Sequence, residues 1–476
     1  MQAFNFSSIN LGCTKNLVDT QHLLGKIFTL AEKEPNIIPQ YHIDPYAKEV
    51  DFVFLNTCGF ISSARDEAAH TLEKLLQKGK KVYLLGCAVQ YYKNLNPNSH
   101  SRFASWGGNP DWSASNQDIF TISRNDLNTL TLKQLINGYN STDFKDFEFT
   151  SSPRVYTNIE HKFEYLKIAE WCDNNCSFCI IPKIRGKQKS LPIETIIEET
   201  KNMITNGIEE IILIAQDTTR YGTDLYRKPI LFELLQEIDK LKGNFRFRLL
   251  YLYPDILTLE HLKKLTKLKK FIPYFDIPLQ HISAPLLKKM GRFYNEEAIY
   301  KFLDFIKEEF PTRFVRTNII IWFPWETDFD HQQLLDFLQK DYFDNIALFE
   351  YHDEPLAASS KLPGKVDDKT LKTRFIQADD IVDKLLTKKE KQRKWTEDIG
   401  YIMNIKQKKR SSHSRLASCG GNPKDKTKEY ETILEVRTLL HCPEIDPYDN
   451  ISLDQITWVE NNKTQLEIGD KISYIV

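Results

Sequence analysis

Glu170-Trp171-Cys172-Asp173-Asn174-Asn175-Cys176-Ser177-Phe178-Cys179 sets three thiols at Cys-x3-Cys-x2-Cys spacing, directly after a strand-like run at 164–169. Three thiolates this close together can each take one iron of a [4Fe–4S] cluster and leave the fourth iron without a protein ligand. A structural zinc ion requires a fourth donor, and the nearest histidine upstream is His161. The triplet therefore predicts a cluster with one open iron at Cys172, Cys176 and Cys179, with zinc or inert core thiols as the other readings.

Working outward, residues 155–392 read as repeated strand–helix units. Candidate strands lie at 164–169, 210–215, 245–250, 274–277, 314–321 and 345–350, and amphipathic helical stretches such as 193–204, 231–241 and 296–308 lie between them. Six such units predict a partial (β/α)6 barrel, open relative to the eight-stranded form. The cysteine triplet follows the first strand, at the end of such a barrel where catalytic loops gather. Gln216 and Asp217 follow the second strand, and Gln280 and His281 follow the fourth. Polar residues there are candidate contacts to substrate or cofactor; for His281 a capping role is an equal alternative.

The segment 1–150 alternates apolar runs (4–11, 50–55, 81–85) with helical patterns such as 64–78, the mark of a parallel α/β sheet. Cys13, Cys58 and Cys87 each stand just after one of those runs. Positions beyond the carboxyl ends of parallel strands share one edge, where ligands bind. Three cysteines in equivalent places predict a second cluster. The alternative is three small residues filling tight turns beside Gly12, Gly59 and Gly86. After a charged helix, residues 395–476 show short runs at 433–436, 465–468 and 471–475 broken by Asn, Gly and Asp, which predicts a small antiparallel β-barrel. The basic run of Lys406, Lys408, Lys409 and Arg410 reads as a solvated hairpin tip ahead of an RNA contact. Cys419 and Cys442 have no nearby metal-ligand partners and read as bystanders.

Composition narrows the classes. The 476 residues are 41% hydrophobic, enough for two or three folded domains, and carry 64 basic against 65 acidic residues. That balance disfavours tracking of a long nucleic acid backbone. Eight cysteines are too sparse for a disulfide scaffold, and six of them fall in the two groups above. No apolar run approaches the ~18 residues of a membrane span, and Met1 to Asn10 lack the features of a signal peptide. A reducing, cytoplasmic setting without membrane contact is expected. Glycine is scarce, at 18 residues of 476, where ~7% is usual.

With the three segments placed, the chain resembles the radical S-adenosylmethionine (SAM) methylthiotransferases over nearly its whole length, and most of all their branch acting on ribosomal protein uS12. The resemblance rests on Leu11-Gly-Cys-Thr-Lys-Asn-Leu-Val-Asp19, Asn56-Thr-Cys-Gly-Phe-Ile61, Cys179-Ile-Ile-Pro-Lys-Ile-Arg-Gly186, Ala215-Gln-Asp-Thr-Thr-Arg-Tyr-Gly222 and Asp276-Ile-Pro-Leu-Gln-His281. Leu249-Leu-Tyr-Leu-Tyr-Pro254 and Pro443-Glu-Ile-Asp446 also look like the protein-modifying branch. The resemblance implies an N-terminal domain with an auxiliary [4Fe–4S] cluster on Cys13, Cys58 and Cys87, a radical SAM barrel, and a C-terminal TRAM-like barrel. It also implies that Cys172, Cys176 and Cys179 hold the SAM-binding cluster, with Phe178 beside adenine; Gln216 and Gln280 are expected as cofactor contacts from their place after the second and fourth strands. The implied reaction spends two SAM molecules, one to methylate sulfur and one to generate a 5′-deoxyadenosyl radical, and inserts a methylthio group at the β-carbon of a uS12 aspartate. Radical chemistry of this kind is supplied by the cofactor. Expected partners are uS12 or the small ribosomal subunit and an electron donor such as flavodoxin or ferredoxin, with the chain itself a monomer. The alternatives are a tRNA adenosine methylthiotransferase and a catalytically impaired iron–sulfur homologue that binds RNA or the ribosome.

Two departures accompany the resemblance. Trp171 precedes Cys172 where the family pattern has glycine, and Ile321-Trp-Phe-Pro-Trp-Glu-Thr327 stands where the family reads Val-Gly-Phe-Pro-Gly-Glu-Thr. Three of the seven tryptophans thus replace glycines. The expectation is that the organism reads UGA as glycine and that Trp171, Trp322 and Trp325 stand for glycines; the alternative is a diverged, impaired homologue. Separately, Ser99-His-Ser-Arg-Phe-Ala-Ser-Trp-Gly-Gly-Asn-Pro110 recurs as Ser412-His-Ser-Arg-Leu-Ala-Ser-Cys-Gly-Gly-Asn-Pro423. One copy in each flanking segment reads as a mobile-sequence insertion into surface loops, ahead of a nucleic acid contact through Arg102 and Arg415.

Overall fold

The computed structural model describes residues 1–95, 118–122, 130–139, 153–365, 367–393, 397–409, 430–463 and 465–476. The repeated segment at 99–110 and 412–423, Cys419 and Arg410 lie outside the described residues.

β1 (Gln2–Asn10), β2 (Ile37–Tyr41), β3 (Phe52–Thr57), β4 (Lys81–Gly86) and β5 (Ile119–Thr121) form a wholly parallel sheet in the order β2-β1-β3-β4-β5. Every residue of β3 is buried, as a central strand covered by helices on both faces requires. β2 carries Pro39 and is half-exposed, which suits an edge and hides it from an apolar-run reading. Three adjacent strands, β1, β3 and β4, therefore end at Cys13, Cys58 and Cys87.

β6 (Phe163–Lys167) opens the central domain. The ribbon of β7 (Ala169–Glu170) and β8 (Lys189–Ser190) brackets the cysteine loop. β9 (Glu210–Ile214), β10 (Arg246–Leu249), β11 (Phe271–Gln280), β12 (Phe314–Ile321) and β13 (Asn345–Glu350) complete a parallel sheet in the order β13-β12-β11-β10-β9-β6. Helices Ile193–Thr205, Leu231–Lys240, Glu296–Glu309 and Asp328–Leu338 alternate with the strands and seal their outer faces with residues such as Ile196, Leu234, Phe302 and Leu334. This is the expected open (β/α)6 half-barrel. The long helix Asp368–Arg393 packs on β13 and on Asp328–Leu338.

β14 (Glu397–Lys409), β15 (Tyr430–Thr438), β16 (Asp449–Ser452), β17 (Ile456–Val459) and β18 (Lys471–Ile475) make an antiparallel sheet ordered β16-β15-β14-β18-β17 around Ile402, Leu434, Val436, Ile451, Ile472 and Tyr474. The expected strand at 465–468 is absent. Gly469 takes φ +85° and Asp470 accepts the Glu467 N–H at 2.8 Å, so the chain turns there instead. Lys406 pairs with Glu435 across β14 and β15, so part of the basic run is already neutralised.

The domains join through buried charge. Glu210, at the start of β9, takes Arg248 and Arg437 at 2.6 Å each, and both guanidiniums are fully buried. Arg248 also donates to the carbonyls of Leu439 and Leu440 at 2.9 and 2.8 Å. Cys442 follows them, fully buried beneath the barrel with Tyr165, Tyr274 and Phe314. The segment after β15 thus plugs the lower mouth of the barrel, and Pro443-Glu-Ile-Asp446 belongs to that plug. Tyr165 donates to the Pro443 carbonyl at 3.1 Å, and the Asp446 carboxylate accepts from the Cys442 N–H at 2.7 Å. On the other side, the helix Thr14–Lys33 lies along β6, where Gln21 donates to Glu164 at 3.0 Å and Asp19 pairs with Lys167.

Candidate functional site

Cys13 is the N-cap residue of the helix Thr14–Lys33. Because that helix runs along β6, its amino end carries Cys13 to the carboxyl edge of the barrel. Cys58 and Cys87 follow on the neighbouring strand ends. The Asn16 side-chain oxygen lies 3.7 Å from Cys13 Sγ and 3.9 Å from Cys87 Sγ. Burial pushes the Cys58 thiol up to about 11, helped by Cys87 and Cys13. Burial also opposes a Cys13 thiolate, yet Lys15 and Arg185 hold that thiol below its ordinary value.

Arg185, from the helix Ile181–Arg185 of the central domain, reaches across to the N-terminal cysteines. Its Nε and Nη2 donate to Cys87 Sγ at 3.0 and 2.9 Å, and it also donates to Asn16. Behind it, Glu170 receives Nη1 at 3.5 Å and pairs with Lys167, which pairs with Asp19. A buried chain of alternating charge therefore runs from the N-terminal helix through β6 and β7 back to Cys87. A second clamp fixes the Cys58 loop: Arg65 donates to the Gly59 carbonyl at 3.0 Å and to Glu354, beyond β13, at 2.9 Å.

The triplet loop is held by its own backbone and by β9. The Asn174 N–H points at Cys172 Sγ (3.4 Å) and the Ile181 N–H at Cys179 Sγ (3.5 Å). Asn174 also donates to Asp217 at 2.7 Å, and Asp217 caps the turn Thr218–Arg220 through the Thr219 N–H at 3.0 Å. Asp217 is thus a strut for the loop. Burial lifts the Cys172 and Cys179 thiols to about 12, with Asp217 and Cys176 adding to the first and Cys176 to the second. Cys176 Sγ lies 3.7 Å from the Tyr253 hydroxyl, and Arg292 stacks 3.9 Å above the Tyr253 ring and 5.8 Å from that of Phe178.

Among the described residues no three His, Cys, Asp or Glu side chains surround a single metal ion. A cubane asks for something else, sulfurs reaching separate iron corners. Three thiols in one loop, and three more on one sheet edge with a guanidinium against them, have the donor chemistry for it.

The remaining sequence candidates divide. Gln216, at the end of β9, keeps a buried side-chain oxygen without a partner. Gln280 is buried at φ +71°. His281 is fully buried, and its Nδ1 accepts the Ser283 N–H at 2.9 Å, which favours the capping role; burial lowers it to about 4. Among the described residues ten non-glycine residues have positive φ, and five of them (Trp171, Tyr251, Gln280, Trp322 and Trp325) lie at or just beyond strand ends at this end of the barrel. Trp171, Trp322 and Trp325 stand at φ +62°, +72° and +76°, a region that bulky L-residues avoid. The Trp322 indole N–H is buried without a partner, and its backbone N–H donates to Glu326 at 2.6 Å. Arg185 and Lys15 were not legible as site residues because they reach partners in another domain, and Asn16 because Asn56 and Cys87 lie 40 and 71 residues away in the chain.

Residues 166–338 match the radical SAM superfamily, and residues 5–104 match a family described as uncharacterized protein family UPF0004. The ribosomal protein uS12 methylthiotransferase RimO of Clostridium botulinum (strain Eklund 17B / Type B) is 34% identical over 389 residues, which span 79% of this chain and 80% of that one. The chain belongs to the radical SAM methylthiotransferase family. The enzyme of the same name from Carboxydothermus hydrogenoformans is 36% identical over 370 residues, 77% of this chain and 80% of its own. Among solved structures, the radical SAM methyltransferase TsrM of Kitasatospora setae aligns over 72% of each chain at 10% identity, with a TM-score of 0.47. This methylthiotransferase is accordingly an enzyme that works with a [4Fe–4S] cluster and SAM. No helix among its described residues is long and apolar enough to cross a membrane.

Proposed function

We propose that this methylthiotransferase modifies an aspartate of ribosomal protein uS12 at its β-carbon. In this reading Cys172, Cys176 and Cys179 hold the cluster that binds SAM, and Cys13, Cys58 and Cys87 hold an auxiliary cluster. The observation that carries the two-cluster reading is the reach of Arg185 from the triplet's domain onto Cys87. A guanidinium against a thiolate balances the negative charge of a sulfur-rich centre. When bound, the clusters and SAM supply the radical that removes hydrogen and the sulfur that replaces it.

The chain's own residues do the positioning. The Asp19–Lys167–Glu170–Arg185 chain fixes the two cysteine groups relative to one another, which matters because misplacement by ~1 Å can cost ~100-fold in rate. Arg65 and Glu354 hold the Cys58 loop over the barrel. The plug after β15 closes the lower mouth, so water is excluded from below and substrate enters from the edge that carries the cysteines. Gln216, Gln280 and Phe178 line the approach as cofactor contacts. The uS12 assignment draws on the likeness to uS12 methylthiotransferases and on the motifs at 11–19, 249–254, 276–281 and 443–446. Mass spectrometry of uS12 and of total tRNA nucleosides, with and without the gene, tests it. A methylthio mark on uS12 that vanishes with the gene is expected; a loss confined to a tRNA adenosine contradicts the assignment.

A further inference from the structure

Lys15 is 6% exposed, and the Cys13 thiol on which its charge acts also has Arg185. It donates to the Ala215 carbonyl at 3.4 Å and sits 3.8 Å from the centre of the Tyr251 ring. Asp19, one turn further along the same helix, pairs with Lys167. Among the described residues no carboxylate forms an ion pair with Lys15. A buried cation in that condition is costly unless a counter-charge arrives.

Two directions lead away from Lys15. Toward the N-terminal sheet, the cysteines already have Arg185, which touches Cys87 and Asn16. Toward the barrel, the ammonium meets the end of β9 at the Ala215 carbonyl, and the side-chain oxygen of Gln216, the next residue, is buried and unpartnered. An anion that pairs with Lys15 therefore approaches from the barrel side, which also carries the cysteine triplet.

Resting on the uS12-aspartate reading, we infer that Lys15 binds the carboxylate of the target side chain and so selects an acidic residue over an uncharged one. A lysine suits this task, being a compact point charge on a flexible stem. It holds the carboxylate ionised in a dry cavity, and the adjacent β-carbon is thereby fixed with respect to both cysteine groups. A nucleobase offers no such charge and would leave the ammonium buried and unpaired, so the same residue discriminates against it.

The test is binding of a fluorescent peptide from the uS12 target loop, carrying either Asp or Asn at the modified position, to anaerobically reconstituted holoenzyme. Wild type, K15Q and K15R are compared, with iron, sulfide and SAM affinity measured on each. Wild type should favour the Asp peptide by about ten- to a hundredfold, the worth of a hydrogen bond to a charged group. K15Q should lose the preference and K15R should keep most of it, with SAM affinity unchanged. A wild-type preference that survives in K15Q overturns the Lys15 assignment. So does a K15Q protein whose only loss is SAM affinity or iron, since the ammonium then serves the carboxylate of SAM or the cluster. Wild-type enzyme indifferent to the Asp-to-Asn exchange, by contrast, overturns the aspartate reading of the function itself.

Discussion

Replacing Trp171, Trp322 and Trp325 separately by glycine and by alanine isolates what their backbone conformation costs. Both replacements discard the indole and everything it touches, including the Lys289 ammonium 3.6 Å above the Trp325 ring. The two variants then differ only in Cβ. In ordinary helix or strand, glycine is the less stable of the pair by ~0.5–1 kcal/mol. At φ +62°, +72° and +76°, the side chain adds ~1–2 kcal/mol of its own, so the order reverses. Glycine should exceed alanine by about 1 kcal/mol at each position. Positions 171 and 325 are in separate turns, and a double replacement there should show about 2 kcal/mol. Urea titrations that follow the barrel transition supply the measurement, read as a change in midpoint at constant slope. Alanine variants as stable as the glycine ones, or more so, refute the reasoning. UGA codons at these positions accord with the recoded-glycine expectation, and UGG at all three contradicts it.

Other outcomes follow from the buried charges. Arg185→Gln strips Cys87 of its cation, and iron and sulfide per chain should fall by about one cluster's worth, roughly four irons; unchanged content counts against the bridging role. Glu210→Gln leaves two fully buried guanidiniums uncompensated, at ~3–5 kcal/mol. Hydrogen exchange in β14, β15 and β18 should accelerate, whereas unaltered protection shows that the plug does not depend on that pair. The thiols of Cys58, Cys172 and Cys179, raised to about 11, 12 and 12, stay protonated at neutral pH without iron. Iron binding must release those protons, so apparent iron affinity should climb from pH 7 to pH 9, and a flat profile contradicts these shifts.

The fold was legible where the sequence repeats one unit. Apolar runs ending in glycine or cysteine marked the ends of β1, β3 and β4, and six strand–helix units marked the half-barrel. The cysteine groups were legible because thiol spacing, and position within the unit, are local features. What escaped depends on contacts distant in sequence. Arg185 and Cys87 are 98 residues apart, and Lys15 and Ala215 are 200 apart. β2 escaped because an exposed edge strand with a proline has no apolar run to show. Pro443-Glu-Ile-Asp446 was recognisable as a motif, but its work as a barrel plug needed Tyr165, Arg248 and Glu210 in place. At 465–468 the alternation looked like a strand, and the Gly469–Asp470 turn prevailed.

The central claim is that Cys13, Cys58 and Cys87 hold a cluster of their own. Anaerobically reconstituted wild type and the triple variant C172A/C176A/C179A decide it by iron and sulfide quantitation with Mössbauer spectroscopy. The account predicts about eight irons for wild type and about four for the variant, each as a [4Fe–4S] signal. Wild type that stops near four irons, with a variant that binds none, contradicts it.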